Sequence, residues 1–242
     1  MSEECRRLSK LVHLLRLLAL ASACLLLPIR AVSGACTLPI PTVTCEFLNS
    51  DAVFLGTVVS VKIAPARDDE YQGWLYDLTV RQSFRGPHTK TIRVFTENSS
   101  GRLPLDLGKQ YLIFAYEYNG RLEITNCGNS SLISAAGPAL RELQKLQIPN
   151  DAVIEGNISF LGSPGADAHL EGIQITVRSG TTTASAISDR NGWFHLHVPP
   201  GTYSAKVQQV PNLKIVPWSL TEDPSHFEAR AGRCVGLRFA EK

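Results

Sequence analysis

The chemistry open to this 242-residue chain centres on Cys36. A basic stretch with Arg6, Arg7, Lys10 and Arg16 precedes an apolar run from Leu17 to Leu27 that Pro28 ends. Ser33-Gly34-Ala35 then supplies small residues at the first and third positions before a cut. That order is a secretory signal peptide over residues 1–35 with cleavage after Ala35. The apolar run is about 11 residues, short of the roughly 20 a membrane-spanning helix needs. Cleavage leaves the α-amine of Cys36 free, followed by Thr37. An α-amine and the carbonyl of the same residue can chelate a metal ion in a five-membered ring. A lipid-anchored leader also puts Cys at the cut, but needs an aliphatic residue three positions earlier, where this chain has Ser33. Arg6-Arg7 fits a twin-arginine signal loosely and reads as an ordinary basic region.

Other candidate groups are sparse. His195 and His197 stand two apart in a strand, so both point to one face. They are weak metal candidates without a third ligand in view. Asp189 and Asn191 could suggest calcium, but turn chemistry accounts for them. No His-Glu-x-x-His, Gly-x-Ser-x-Gly or phosphate-cradling glycine loop occurs. The sequence therefore implies no catalysis and no cofactor. Asn98, Asn129 and Asn157 each begin an Asn-x-Ser sequon, which matters only in a glycosylating host.

Removing the leader changes the charge balance. The full chain has 24 Lys+Arg against 22 Asp+Glu, and the leader holds five basic and two acidic residues. The mature 207 residues thus carry 19 basic against 20 acidic groups. No basic patch suggests nucleic acid. Cys5 and Cys24 leave with the leader. Cys36, Cys45, Cys127 and Cys234 remain as disulfide candidates, an even number suited to an oxidising compartment. Four cysteines allow three pairings, and none forms a C-x-x-C pair.

These residues must be positioned by β structure. From Asp51 to Thr125, strands are expected at 52–61, 74–84, 91–95, 110–118 and 122–125, with turn signals at Arg85-Gly86-Pro87 and Asn119-Gly120. Ala139 to Leu146 reads as a helix with Leu140, Leu143 and Leu146 on one face and Pro138 in its first turn. Five strands and a packed helix suit a small closed barrel of the oligonucleotide/oligosaccharide-binding type. Residues 148–151 form a short linker. Beyond it, seven short strands are expected at 153–160, 173–178, 183–188, 193–198, 202–209, 226–230 and 234–239, the pattern of a β-sandwich. Each side has its own strand set, so each is expected to fold as its own domain, 36–147 and 152–242.

Both halves resemble known families. Cys36-Thr37, Cys45, Asn49-Ser50-Asp51-Ala52-Val53, Phe84-Arg85-Gly86, the run Leu107 to Ala115 and Leu122 to Cys127 resemble the tissue inhibitors of metalloproteinases. They are especially similar to bacterial netrin-like relatives of that group. The resemblance covers about residues 36–146 and implies a five-stranded barrel with flanking helices. In the animal inhibitors the first cysteine's amine and carbonyl bind the protease zinc and the second residue enters the specificity pocket. By position those roles fall on Cys36 and Thr37. Two departures stand out. Leu38 occupies the place of the family's second cysteine, and the loop 98–102 lacks the cysteine that bonds the first one. Cys127 matches a family cysteine and leaves Cys36 and Cys45 as alternative partners.

Gly156, Ser188-Asp189-Arg190-Asn191-Gly192-Trp193-Phe194 and Pro199-Pro200-Gly201-Thr202-Tyr203 resemble carboxypeptidase regulatory-like domains of the prealbumin-like sandwich type. Such modules carry no catalysis, and some relatives of the fold bind carbohydrate. The combined expectation is a secreted or periplasmic, non-enzymatic, mainly β protein without a transmembrane helix in its mature chain. Its partners would be extracellular protein or glycan. The rival expectation is an inhibitor chelating the zinc of a metalloprotease through Cys36; a third is an architectural spacer.

Overall fold

The computed structural model describes residues 36, 40–66, 72–160, 170–208, 215–217 and 222–241. The expected signal peptide and Thr37 lie outside the described residues. The protein is mainly β, with two short helices among the described residues.

The first helix, α1 (Val43–Asn49), was not expected from the sequence. Val43 and Thr44 are poor helix formers, and seven residues are too few to be helical alone. Thr42 starts it: its hydroxyl accepts from the Cys45 amide at 3.2 Å. Cys45, Glu46, Phe47 and Leu48 are all buried, so packing on more than one side holds the helix.

Six strands follow: β1 (Ala52–Ala64), β2 (Gly73–Arg85), β3 (Thr91–Glu97), β4 (Gln110–Tyr118), β5 (Arg121–Glu123) and β6 (Ser131–Leu132). Their order is β1-β2-β3-β5-β4-β6, and β1 also pairs with β4, so the sheet closes on itself. Closure uses only Ala52–Thr57 of β1, in register with Gln110–Ala115. Register shifts at Val53/Phe54, Leu55/Gly56 and Val58/Ser60 let the strand curl. Inside the closed sheet lie Phe54, Val58, Tyr76, Leu78, Ile92, Val94 and Ile113. The opposite face carries Val53, Leu55, Leu112 and Phe114 beneath α1 and the second helix, α2 (Gly137–Leu143). Burial on both faces explains the unbroken apolar run in β1. Gly86 has φ +87° at the turn after β2, and a Cβ there would strike the Asp51 carbonyl, so only glycine fits.

The second half holds β7 (Ala152–Phe160), β8 (Gln174–Ser179), β9 (Thr182–Ile187), β10 (Trp193–Val198), β11 (Gly201–Val207), β12 (Ile215–Pro217), β13 (Phe227–Ala229) and β14 (Cys234–Glu241). They form two four-stranded sheets, β10-β7-β14-β12 and β13-β11-β8-β9, around one core of Ile154, Ile158, Ile175, Val177, Phe194, Leu237 and neighbours. All seven expected strand positions are occupied, and β12 is additional; three residues ending in proline carry no alternation to read. β7 and β14 run parallel. Gly156 is required by packing: a Cβ there would overlap the Phe194 ring.

The linker is not the sole connection between the halves. Val153 of β7 and Cys234 of β14 belong to the same buried cluster as Cys45, Leu48, Val53, Phe114 and Leu143.

Candidate functional site

The second half grips α1 at both ends and in the middle. At its start, the Glu155 carboxylate accepts from the Thr42 amide at 3.1 Å and from the Thr42 hydroxyl. That puts a negative charge where helix N–H groups point outward. At its end, the Arg233 guanidinium donates to the carbonyls of Leu48 and Asn49, both at 3.3 Å. The positive charge therefore meets the helix end with free carbonyls. The Asn49 side chain pairs with the Cys234 backbone in both directions, at 2.8 and 3.0 Å. The disulfide Cys45–Cys234 ties the middle of the helix to β14. Glu155 is 1% exposed and Cys45 and Cys234 are buried, while Thr42 and Arg233 reach them from the surface.

The sheet face that carries Glu155 continues into a cleft of about 340 Å³ lined by Thr42, Glu155, Ile187, Asp189, Trp193 and His195. Strand register builds it: His195 sits opposite Glu155, and Trp193 opposite Asn157. On the far side of Asn157 lies Arg238, whose guanidinium is 4.9 Å from the Trp193 ring. Burial lowers the Arg238 pKa, and Glu155 opposes that shift. The cleft thus joins one residue of the first half to a wall from the second. It combines an indole, an aliphatic side chain and several polar groups, the mixture found in ligand clefts.

His195 and His197 are neighbours, with their Nε2 atoms 3.1 Å apart. One ring donates and the other accepts, as neutral imidazoles can. Desolvation, then the neighbouring His197, hold His195 below its ordinary pKa, while Glu155 pulls upward. Among the described residues no group of three or more His, Cys, Asp and Glu is placed to hold a metal. Asp189 serves its turn: its carboxylate accepts from the amides of Asn191 at 2.8 Å and Trp193 at 2.9 Å.

Cys36 is bonded to Cys127. The loop bearing Cys127 is itself seated on α1. Glu46, 2% exposed, accepts at one carboxylate oxygen from the backbone and side-chain N–H groups of Asn129, both at 2.6 Å. Asn129 also donates to the Pro41 carbonyl at 3.0 Å. Gly128 packs so close to this carboxylate that a Cβ would collide with it. Burial raises the Glu46 pKa, against the lowering effect of the Asn129 donors. Burial, and then Glu46, raise the pKa of Tyr116 beside it. Of the three sequon asparagines, Asn98 is exposed, Asn129 is engaged as described, and Asn157 is buried and donates to the Asn191 carbonyl at 3.1 Å.

Sequence reasoning missed Glu46 and Glu155. The only local signal at Glu155 is a charged residue within the apolar run Val153-Ile154-Glu155-Gly156-Asn157-Ile158, which usually marks a solvent face. Its partner is 113 positions away.

The two disulfides are of the kind that persists in oxidising compartments. No helix among the described residues is long and apolar enough to cross a membrane. No protein-family model matches the chain, and no curated protein matches it. Among solved structures the chain is similar to the Bacillus anthracis TIE protein, at 12% identity and a TM-score of 0.29. The match covers 75% of this chain and 40% of that one, so this chain spans less than half of that protein's length.

Proposed function

We propose that this is an exported, non-catalytic binding protein of the cell envelope or extracellular space, which recognises protein or carbohydrate. In this reading residues 1–35 are a removed signal peptide. The closed sheet is a netrin-like, OB-type barrel domain over 36–147, followed by a carboxypeptidase regulatory-like sandwich over 152–242. The observation that carries it is the cleft at Trp193, built from both halves and held beside the Glu155–Thr42 contact. Trp193 offers an apolar platform, and Asp189 and His195 offer hydrogen bonds at its rim. Titrating the full mature chain against arrayed neutral oligosaccharides and secreted proteins tests this. Trp193→Ala should weaken every hit by at least about tenfold, roughly 1.4 kcal/mol, while hits that bind the variant as well as the parent place recognition elsewhere.

A second reading, a metalloprotease inhibitor acting through Cys36 and Thr37, is favoured by one observation. The Cys36–Cys127 bridge fixes residue 36 to a loop seated on α1. A free α-amine has a pKa of roughly 7.7–8.0, so a useful neutral fraction can donate to zinc near neutral pH. One alanine added before Cys36 would move the amine out of the chelate ring. Inhibition of secreted zinc proteases should then vanish without loss of stability; equal inhibition by both forms would rule chelation out.

A further inference from the structure

His195 and His197 present two nitrogen donors on a rigid base. The side chains of β10 alternate: Phe194, Leu196 and Val198 enter the sandwich core, and the two histidines are exposed on the opposite face. Those buried residues, and the pairing of Trp193–Val198 with Ala152–Asn157, fix both Cα positions. Two imidazoles two apart on a strand therefore meet without any loop having to be ordered. Their geometry is that of a chelate. The Nε2 atoms face each other at 3.1 Å. Two imidazole nitrogens bound to one ion at about 2.05 Å stand about 2.9 Å apart at a right angle and about 3.3 Å apart at the tetrahedral angle. The gap in this protein falls between those limits. The ring centres are 4.9 Å apart, close to the value of about 4.8 Å for two rings whose lone pairs share such an ion.

In the hydrogen-bonded pair one Nε2 carries a proton. Moving that proton to Nδ1 of the same ring makes both Nε2 atoms acceptors with no net proton lost. The pair gives up only its mutual hydrogen bond. The surroundings select the ion. Glu155 stands opposite His195, but both of its carboxylate oxygens accept from Thr42. Asp189 is engaged with the amides of its own turn. Among the described residues no third His, Cys, Asp or Glu completes a cluster with the pair. Two imidazoles without a carboxylate do not suit calcium or magnesium, which take oxygen ligands. They suit copper, nickel and zinc, and in a given nitrogen site Cu2+ is held most tightly.

We propose that His195 and His197 form a bidentate surface site for a late first-row divalent transition ion, Cu2+ above all. Water fills the remaining coordination positions. His195 also lines the Trp193 cleft, so an ion held here stands at the rim of that cleft. The site does not depend on what the cleft binds, and its failure would leave that reading standing.

Calorimetric titration of the full mature chain with Cu2+, Ni2+, Zn2+ and Ca2+ salts tests it, together with the electron paramagnetic resonance spectrum of the one-to-one copper complex. Cu2+ should bind most tightly, Ni2+ and Zn2+ at least about tenfold more weakly, and Ca2+ not detectably. The spectrum should show splitting from two equatorial imidazole nitrogens. His195→Gln and His197→Gln should each weaken Cu2+ by at least about tenfold and remove one nitrogen from the spectrum. His88→Gln and His226→Gln should do neither. Both histidines of the pair are exposed, so each variant's unfolding midpoint should match the parent's, and the parent's spectrum decides the matter even if a variant fails to fold. Copper binding unchanged in both variants of the pair, a parent spectrum without paired imidazole nitrogens, or Ca2+ bound as tightly as Cu2+ would each overturn the proposal.

Discussion

The two disulfides divide the labour of holding this chain together. Cys36–Cys127 spans 91 residues and stays within the first half, while Cys45–Cys234 spans 189 and crosses from one half to the other. Chain entropy barely separates them: the loops are worth about 4.6 and about 5.3 kcal/mol on that argument. Their surroundings do separate them. Cys45 and Cys234 are part of a buried cluster, flanked by the Glu155–Thr42 and Asn49–Cys234 contacts. Cys36 is half-buried and holds the segment before α1 to a loop. One bridge ties the segment before α1 to a loop of the same half, whereas the other joins a buried cluster to which both halves contribute.

The largest effect that would sharpen this contrast comes from removing each bridge in turn. Cys45→Ala with Cys234→Ala should lower stability by about 5 kcal/mol and split guanidinium unfolding into two transitions. Cys36→Ala with Cys127→Ala should cost nearly as much, about 4.6 kcal/mol, yet leave one transition. Two-step unfolding from the second pair, or one step from the first, would break the comparison. Next in size is Glu155→Ala. It removes the acceptor of the Thr42 donors and leaves the buried Arg238 without its neighbouring carboxylate. Losing one partner of a buried polar set of this kind costs about 3 kcal/mol, so a urea midpoint shift too small for 1 kcal/mol would show that Glu155 is not a clamp.

Most strands of both halves were legible because their alternation, turns and glycines are local; the two-residue β6 and the three-residue β12 are too short to carry such a signal. Asn119-Gly120, Asp189 to Gly192 and Pro199-Pro200-Gly201 mark the chain wherever it must reverse. The helix expected over Ala139–Leu146 starts two residues earlier and ends three residues earlier, over Gly137–Leu143. What the sequence did not disclose is everything that meets across distance. Helix α1 exists because Glu155, Arg233 and Cys234 arrive from over a hundred positions away, and no local propensity signals that. The short polar linker at 148–151 suggested two domains, and nothing local announced that Val153 and Cys234 share a buried cluster with Cys45 and Leu48. At the site, the strand spacing of His195 and His197 placed them on one face, as found, but their nearness to Glu155 and Trp193 follows only from the pairing of β10 with β7.

The smallest expected effects are pH-dependent, and they differ in sign between the halves. Burial raises the Glu46 pKa, so the native first half holds this proton more tightly than the unfolded chain. Its contribution is most favourable below the ordinary carboxylate range near about 4.3 and declines as pH rises through the native value. Desolvation and His197 lower the His195 pKa, so the native second half resists this proton. Its contribution is fully present above about 6.5 and is lost as pH falls from there through the native value. Glu46→Gln should flatten the first slope and His195→Asn the second in denaturant melts across pH 4–8. Slopes unchanged in both variants would remove these groups from the account.

Scanning calorimetry of the intact oxidised chain reads whether α1 locks the halves into one cooperative body. A single transition is expected, with its van't Hoff enthalpy equal to the calorimetric one. Two resolved transitions in the intact chain would contradict it.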